Sequence, residues 1–197
     1  MPKMGPRYKV QSRRKREGRT DYRQRLNLLR SGKPRLVTRI SLKHVTAQVV
    51  QVAPTGDTVL ASAHSKQLEK FGWKASGSNV PASYLVGLLC GYRAVKAGAG
   101  GCTLDIGTYD VAPQAKVFAV LRGAIDAGLN IPHDGRILPK EDRITGKHIS
   151  QYADKLKKED PKAYQAKFSS YLARGIPPEQ MSVHFNAVKQ AIITQFS

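Results

Sequence analysis

A basic segment near the N-terminus carries the side chains that recognise phosphate groups. Residues 8–25 read YKVQSRRKREGRTDYRQR and contain eight Lys or Arg against two acidic residues. Most of these cations are arginines, whose planar guanidinium groups donate paired hydrogen bonds to phosphate oxygens. Tyr8 and Tyr22 are interleaved, and their rings could stack on unpaired bases. The chemistry that this segment predicts is therefore the binding of a polyanion, with nucleic acid as the best fit.

The charge of the whole chain supports this interpretation. The protein has 197 residues, a formal net charge of +19 and an isoelectric point near 10.2. Residues 1–39 hold fourteen Lys or Arg and two acidic residues, whereas the remaining 158 residues hold nineteen and twelve. A solvated basic tail is the alternative interpretation of such a block. The excess charge favours an acidic partner, because self-repulsion destabilises a compact chain that nothing neutralises.

A helical pattern inside the basic segment argues against a plain tail. Thr20 is the predicted N-cap, and Tyr22, Leu26 and Leu29 recur at helical spacing after it. Gly32 follows as a helix-ending residue. We expect this helix to dock its apolar stripe on the body of the protein and to carry arginines on its other sides.

The body of the chain has the pattern of a mixed α/β fold. Strands are predicted over residues 35–42, 46–53, 58–63 and 102–107, and helices over residues 81–96 and 114–127. The first strand would place Leu36, Thr38, Ile40 and Leu42 on one face and Arg39 on the other. The order β-β-β-α-β-α favours a small mixed sheet, in which one parallel strand joins an antiparallel meander and the helices pack on the sheet. This order resembles the ribonuclease H-like topology.

Residues beyond 133 form a region of different character. A polar loop is followed by three short amphipathic helical patterns, which must pack on each other or on a neighbour. Their lysines are compatible with contacts to RNA, with contacts to a neighbouring protein, or with solvated faces. We therefore divide the chain into a basic arm with a short helix (1–34), an α/β body (35–132), and a loop with appended C-terminal helices (133–197).

No arrangement of residues predicts catalysis or a cofactor. The glycines at 98–101 lack the Lys that a phosphate-binding loop requires, and the five histidines are scattered singly. The strongest enzymatic alternative is a two-metal nuclease on a ribonuclease H-like fold. Asp105 and Asp126 are the only inner carboxylates for such a site, and the first strand supplies none. We expect neither an enzyme, nor a metal site, nor a small-molecule substrate.

Three further features bear on the cellular location of the protein: its cysteines, its longest apolar run and its N-terminal segment. Cys90 and Cys102 lack the spacing of a zinc or redox site and are predicted to be buried free thiols. The longest apolar run, residues 84–92, is far shorter than the ~20 residues that span a bilayer. No apolar segment follows the N-terminal charges, as a secretory signal would require. We therefore expect a protein that stays in the cytoplasm and does not enter a membrane.

Five segments of the sequence resemble a known family. They are RRKREGRTDYRQRLNLL (13–29), RLVTRIS (35–41), FGW (71–73), LDIG (104–107) and LRGAIDAGLNIPH (121–133). In this order, and over essentially the whole chain, they are similar to the archaeal form of the large-subunit ribosomal protein eighteen family, which is similar to the eukaryotic large-subunit protein five. Ala127 departs from the glycine that eukaryotic members usually have, but it keeps a small residue there.

The resemblance implies that the protein binds 5S rRNA and helps to attach it to the large ribosomal subunit, in the central protuberance. It implies 23S rRNA and neighbouring large-subunit proteins as further partners. The expected RNA contacts are Tyr8, Lys9, Arg13, Arg14, Lys15, Arg16, Gly18, Arg19, Thr20, Tyr22, Arg23, Arg25, Arg39, Lys43, Trp73 and Lys74. Trp73 could equally be a core residue. The alternative function is that of a non-ribosomal nucleic-acid-binding protein, such as a chromatin protein.

Overall fold

The computed structural model describes residues 9–109 and 112–196. Within these ranges the chain forms a four-stranded sheet, two helices that cover one face of it, and further helices toward both ends. Tyr8, one of the expected RNA contacts, lies outside the described residues.

The basic arm contains two short helices, α1 (Arg13–Arg16) and α2 (Tyr22–Leu29). The second one confirms the helix predicted for this segment, but its N-cap differs from the prediction. Asp21 is the N-cap instead of Thr20, because the Asp21 carboxylate accepts hydrogen bonds from the backbone amides two and three residues later.

The sheet is built from the strands β1 (Arg35–Ile40), β2 (Val45–Ala53), β3 (Gly56–His64) and β4 (Thr103–Asp105). They lie in the order β3-β2-β1-β4. The first three form an antiparallel meander, and β4 pairs with β1 in parallel. The predicted small mixed sheet, with a parallel strand added to a meander, is therefore confirmed.

Two strand ends differ from the prediction because the chain turns early. β1 stops at Ile40, where the Ser41 amide donates a hydrogen bond to the His44 carbonyl at 2.8 Å. Leu42 consequently lies outside the sheet and is 98% exposed, so its predicted place on the strand face that includes Leu36 is wrong. β4 is only three residues long, since the Gly107 amide donates to the Asp105 carboxylate and bends the chain.

One face of the sheet is apolar and is covered by α3 (Val80–Lys96) and α4 (Lys116–Asp126). The two helices pack so closely that glycine is required at their crossing. A Cβ on Gly123 would overlap the Tyr84 carbonyl, and a Cβ on Gly87 would overlap the Val120 carbonyl. This close approach seals the apolar core. Because α3 and α4 lie on one side of the sheet, the opposite face is left for polar residues.

Four further helices follow, α5 (Glu141–Ile144), α6 (Lys147–Glu159), α7 (Pro161–Ala173) and α8 (Met181–Phe196). Short 3-10 segments occur at Ser65–Phe71, Gly135–Ile137 and Pro178–Gln180. The three longer helices confirm the three C-terminal helical patterns. The 3-10 segment after β3 was not predicted; it is capped by the His64 ring, which accepts a hydrogen bond from the Lys66 amide.

The C-terminal helices pack in two places. Phe185 and Ile192 of α8 belong to the main core, where the Phe185 ring lies 5.5 Å from the ring of Tyr84 on α3. α6 and α7 form a smaller cluster around Ala153, Tyr164 and Phe168. α8 is thus part of the main core; the division of the chain at residues 34 and 132 stays a prediction.

The two cysteines and the helices agree with the remaining expectations about the body. Cys90 and Cys102 are buried free thiols, as predicted. Burial raises the pKa of the Cys90 thiol to about 12. In the part of the chain that the structure describes, none of the helices combines the length and the apolar character needed to cross a bilayer.

Candidate nucleic-acid interface

The basic arm is held in a defined loop between α1 and α2. Arg14 Nε donates a hydrogen bond to Thr20 Oγ1 at 2.9 Å, so the Thr20 side chain bonds α1 instead of capping α2. Glu17 lies 3.6 Å from Arg13 and 3.1 Å from Arg19. Gly18 turns the chain with a φ of +65°, a left-handed conformation that glycine adopts without strain. These local contacts bring the arginines together on the outside of the loop.

The orientation of α2 differs from the prediction. Tyr22 and Leu26 of the predicted docking stripe are 41% and 53% exposed, and no residue of α2 is buried. The side of the helix that faces the body contains Arg25, whose Nη2 lies 2.9 and 2.8 Å from the two carboxylate oxygens of Asp57. Leu29, the third residue of the stripe, is half-buried, and this ion pair anchors α2 to the body.

A buried arginine extends this ion pair across the sheet. Arg35, at the start of β1, is 2% exposed. Its guanidinium donates one hydrogen bond to Asp57 at 2.8 Å and another to Asp105 on β4. Although burial opposes ionisation of Asp57, the hydrogen bonds and charges of Arg25 and Arg35 outweigh it and lower the pKa of that carboxyl. We call Arg25, Arg35, Asp57 and Asp105 the sheet clamp.

A groove of about 430 Å³ lies between the arm and the uncovered face of the sheet. We call it the arm–sheet groove. Its lining includes Arg14, Arg19 and Gln24 from the arm, and Thr38, Arg39, Gln48 and Tyr109 from the body. The Tyr109 hydroxyl donates a hydrogen bond to the Ile40 carbonyl at 3.2 Å, which closes the groove beside the edge of β1.

One buried polar atom on the groove side of the sheet, Arg35 Nε, has no hydrogen-bond partner within the described part of the chain. Thr38 Oγ1 also has none there, but Thr38 pairs with the buried Ala47 and its side chain lies on the apolar face of the sheet. A buried polar atom without a hydrogen bond costs about 1–3 kcal/mol, so such atoms are found where a ligand or water completes them. The arm–sheet groove therefore combines the exposed cations of the arm with polar side chains of the sheet, such as Gln48.

The expected contacts that the structure describes divide into three groups. The first lines the arm–sheet groove and consists of five arm residues and one residue of β1: Arg14, Gly18, Arg19, Thr20, Arg25 and Arg39. Lys9, Arg13, Lys15, Arg16, Tyr22 and Arg23 lie nearby in the sequence and are exposed. Lys43, Trp73 and Lys74 line a different groove, on the side of the 3-10 segment after β3.

Trp73 has the environment of a core residue. It is 2% exposed, and its indole N–H donates a hydrogen bond to the Ser76 carbonyl at 3.1 Å. Its ring stacks on the His184 ring, with the centroids 5.0 Å apart. Both the apolar ring and its polar handle are thus satisfied by the protein, which favours the core interpretation over stacking on a base.

The carboxylates considered for a nuclease have partners of their own. Asp105 is bound by Arg35, and Asp126 accepts a hydrogen bond from the Tyr84 hydroxyl at 2.7 Å. Among the residues that the structure describes, no three His, Cys, Asp or Glu side chains are grouped as metal ligands would be. The two aspartates therefore act as structural acceptors in this fold.

The sheet clamp is the part of the site that sequence reasoning missed. Arg35 was placed on the first strand, but nothing local indicates that it is buried. One usable signal was Asp57, at the start of β3, together with Asp105 in the LDIG segment, because two acids at strand ends of one small sheet need cationic partners. The pairing itself depends on contacts across 22 and 70 residues of sequence.

An arginine-rich arm beside a polar groove places the molecule in the class of basic nucleic-acid-binding proteins. The family follows from comparison with known proteins. Residues 6–100 and 96–134 match the family model described as "Ribosomal large subunit proteins 60S L5, and 50S L18". These matches span well over half of the chain, and the protein belongs to this family. It is therefore an RNA-binding protein of the large ribosomal subunit, and no enzymatic activity follows from the family.

Proposed function

We propose that this protein binds 5S rRNA through the arm–sheet groove and attaches it to the large subunit in the central protuberance. The observation that carries the proposal is the arm–sheet groove itself: exposed arginines on one wall, and Arg39 with the polar side chain of Gln48 on the other. A rigid groove of this kind suits a folded RNA, which is recognised by shape, backbone and unpaired bases.

The two walls would act on different parts of the RNA. Arg14, Arg19 and Arg39 would neutralise phosphates and position the backbone, as cations do in most protein–nucleic acid contacts. Gln48, which is half-buried on the groove side of the sheet, would supply hydrogen bonds to a ribose or a base edge deeper in the groove. Tyr22 is 41% exposed beside this surface and offers a ring for stacking on a base.

The sheet clamp would act indirectly. Arg25 and Arg35 form ion pairs with Asp57 and Asp105, so their charges are largely neutralised within the protein. Their role in RNA binding is to hold α2, and with it the arm, at a fixed distance from the sheet. Arg25, which was expected to contact RNA, is therefore proposed as a positioning residue.

Several finer expectations are part of the same proposal. The motifs favour the archaeal form of the family, a cytoplasmic ribosome, and 23S rRNA and neighbouring large-subunit proteins as further partners. We also propose that the body has a ribonuclease H-like topology that serves as a scaffold; the sheet order β3-β2-β1-β4 supports this, and its inner aspartates are engaged by other side chains.

Binding of the purified protein to 5S rRNA across a salt series tests the proposal. The site variant is R14A/R19A/R39A, and the charge-matched control is K155A/K158A/K162A, three exposed lysines outside the groove. We expect the site variant to bind 5S rRNA at least about tenfold more weakly, with a salt slope lower by about 2, because each lost phosphate contact removes ~0.7–0.9 from it. The control should bind like the wild type.

Competition with tRNA separates specific from general binding. A preference for 5S rRNA over tRNA that the site variant loses would support the proposal. Equal binding of both RNAs by the wild-type protein, or equal losses in the site variant and the control, would contradict it, since both outcomes reduce the arm to general electrostatics.

A further inference from the structure

A second groove lies on another side of the protein and has a volume of about 730 Å³. One wall is the turn after β1 with Lys43 and His44, followed by Lys66 and Lys74 around the buried Trp73. The other wall comes from α7 and the residue just beyond it, with Ser170, Tyr171 and Arg174. We call it the α7 groove. Only its first wall lies in the part of the chain that matches the family model.

The α7 groove is strongly cationic. Lys43, Lys66, Lys74 and Arg174 are exposed, and Glu69 is its one acidic residue. Within the described residues, none of these four cations has a carboxylate at ion-pairing distance. By contrast, Lys157 outside the groove is paired with Glu179 at 3.0 Å. No carboxylate of the described residues therefore neutralises the charges of these four cations.

The second wall is fixed to the first by hydrogen bonds. Arg174 Nη1 donates to the Lys74 and Ala75 carbonyls, each at 3.2 Å, which joins the end of α7 to the segment after Trp73. The Lys74 amide donates to His184 Nε2 on α8 at 3.3 Å. The C-terminal helices thus complete the groove instead of merely standing beside it.

The pKa values of two histidines near the groove are lowered, in part by the cationic groups around them. Burial lowers the pKa of His184, and the nearby Lys74 charge lowers it further. Burial, His44 and Lys66 act in the same direction on His64, which caps the 3-10 segment below the groove. Both shifts favour the neutral imidazole ring.

We propose that the α7 groove binds a second, single-stranded segment of RNA, separate from the RNA held at the arm–sheet groove. Lys43, Lys66, Lys74 and Arg174 would contact successive phosphates. Tyr171, whose ring is half-buried at the second wall, would take a base. The protein would then tie two RNA segments together, and the C-terminal helices would have a direct part in that function.

RNA fits this groove better than an acidic protein segment does. Protein interfaces have an apolar centre with aromatic anchors and are depleted in lysine. Here three of the four cations are lysines, Trp73 is already covered by His184, and the strongly exposed apolar residue at the rim is the isolated Leu42. Lysines around a shallow groove are typical of backbone contacts to a nucleic acid strand.

The test uses the full-length chain with a neutralised arm, R13A/R14A/R16A/R19A, so that the first RNA surface does not contribute. The probe is a fluorescein-labelled oligouridylate of about ten nucleotides, and anisotropy is followed across a salt series. The groove variant adds K43A/K66A/K74A to this background, and the charge-matched control adds K155A/K158A/K162A. Circular dichroism melting checks that each variant is folded.

We expect the arm-neutralised protein and its control to bind oligouridylate. The groove variant should bind at least about tenfold more weakly, with a salt slope lower by about 2, since ~0.7 is lost for each phosphate contact to a single strand. Equal affinity and slope for groove variant and control would overturn the proposal. Tighter binding of a polyglutamate peptide than of oligouridylate would also overturn it, by assigning the groove to an acidic protein segment.

The result is independent of the 5S rRNA proposal. The groove variant placed in a wild-type arm should keep its preference for 5S rRNA over tRNA, whereas the arm substitutions should remove it. Loss of oligouridylate binding in the groove variant with no loss of 5S preference would support two separate sites. Loss of 5S preference in the groove variant alone would contradict the separation.

Discussion

Replacing Asp57 with Asn should loosen the arm without unfolding the body. Asp57 accepts hydrogen bonds from both Arg25 and Arg35, so the substitution removes the charge that anchors α2 to the sheet. Arg35 would keep Asp105, but it would be a buried cation with one carboxylate partner in place of two. The fold of the apolar core does not depend on this contact.

The magnitude follows from burial. Breaking a fully buried ion pair costs about 3–5 kcal/mol, and a hydrogen bond to a charged group contributes about 1.5–3 kcal/mol. The Asp57 side chain is 28% exposed and Arg35 retains Asp105 as a second partner, so the loss of stability should be smaller than that for a fully buried ion pair. We expect D57N to lower the free energy of unfolding by about 2 kcal/mol.

The effect should depend on pH in a defined direction. The folded-state pKa of Asp57 lies below its ordinary value of 3.8, so its contribution to stability is fully present above that pH. It is lost as the pH falls through the folded-state pKa, because both states then bind the proton. The difference in unfolding free energy between wild type and D57N should therefore shrink below about pH 4.

Urea denaturation followed by circular dichroism measures the stability, and hydrogen exchange of the amides of residues 22–29 measures the release of α2. The matched control is D142N, because Asp142 forms an exposed ion pair with Lys147 at 3.5 Å and should contribute less than about 0.5 kcal/mol. If D57N and D142N have the same unfolding free energy and the same exchange in α2, the sheet clamp does not hold the arm.

Three further predictions concern the body. Gly123→Ala should lower the free energy of unfolding, measured by urea denaturation, by at least about 3 kcal/mol, because its Cβ would overlap the Tyr84 carbonyl. Gly100→Ala is the control: its Cβ meets open space, and the loss should be under ~1 kcal/mol. Similar losses in both variants would contradict the close packing. Cys90 should react with a thiol reagent at pH 8 only after unfolding, since its pKa is raised to about 12, and rapid native-state labelling would contradict its burial. Trp73, the protein's one tryptophan, should keep its fluorescence when RNA saturates the protein, and strong quenching would place a base against it.

The sequence predicted the elements of the body well because their periodicity is strong. Alternating residues in β2 and helical spacing in α3 are decided by burial against one continuous core, and both elements lie within a residue or two of the predicted bounds. Leu42 was misplaced because alternation continued beyond the turn at Ser41, where a backbone hydrogen bond ends the strand.

The candidate site was predictable in composition but not in geometry. The arginines of the arm are recognisable from sequence, yet Leu26 was expected to face inward, and the structure turns Arg25 inward instead. The reason is a partner 32 residues away, Asp57, which no local pattern reveals. The wall that Arg174 contributes to the α7 groove is equally invisible, since it depends on how two distant segments pack.

The most direct test of the central claim is ultraviolet cross-linking of the full-length protein to 5S rRNA, with mass spectrometry of the linked peptides. The account predicts cross-links in residues 13–25 and 36–40, on the two walls of the arm–sheet groove, and their loss in the R14A/R19A/R39A variant. Cross-links confined to the C-terminal helices, or an unchanged pattern in the variant, would contradict the assignment of 5S rRNA to this groove.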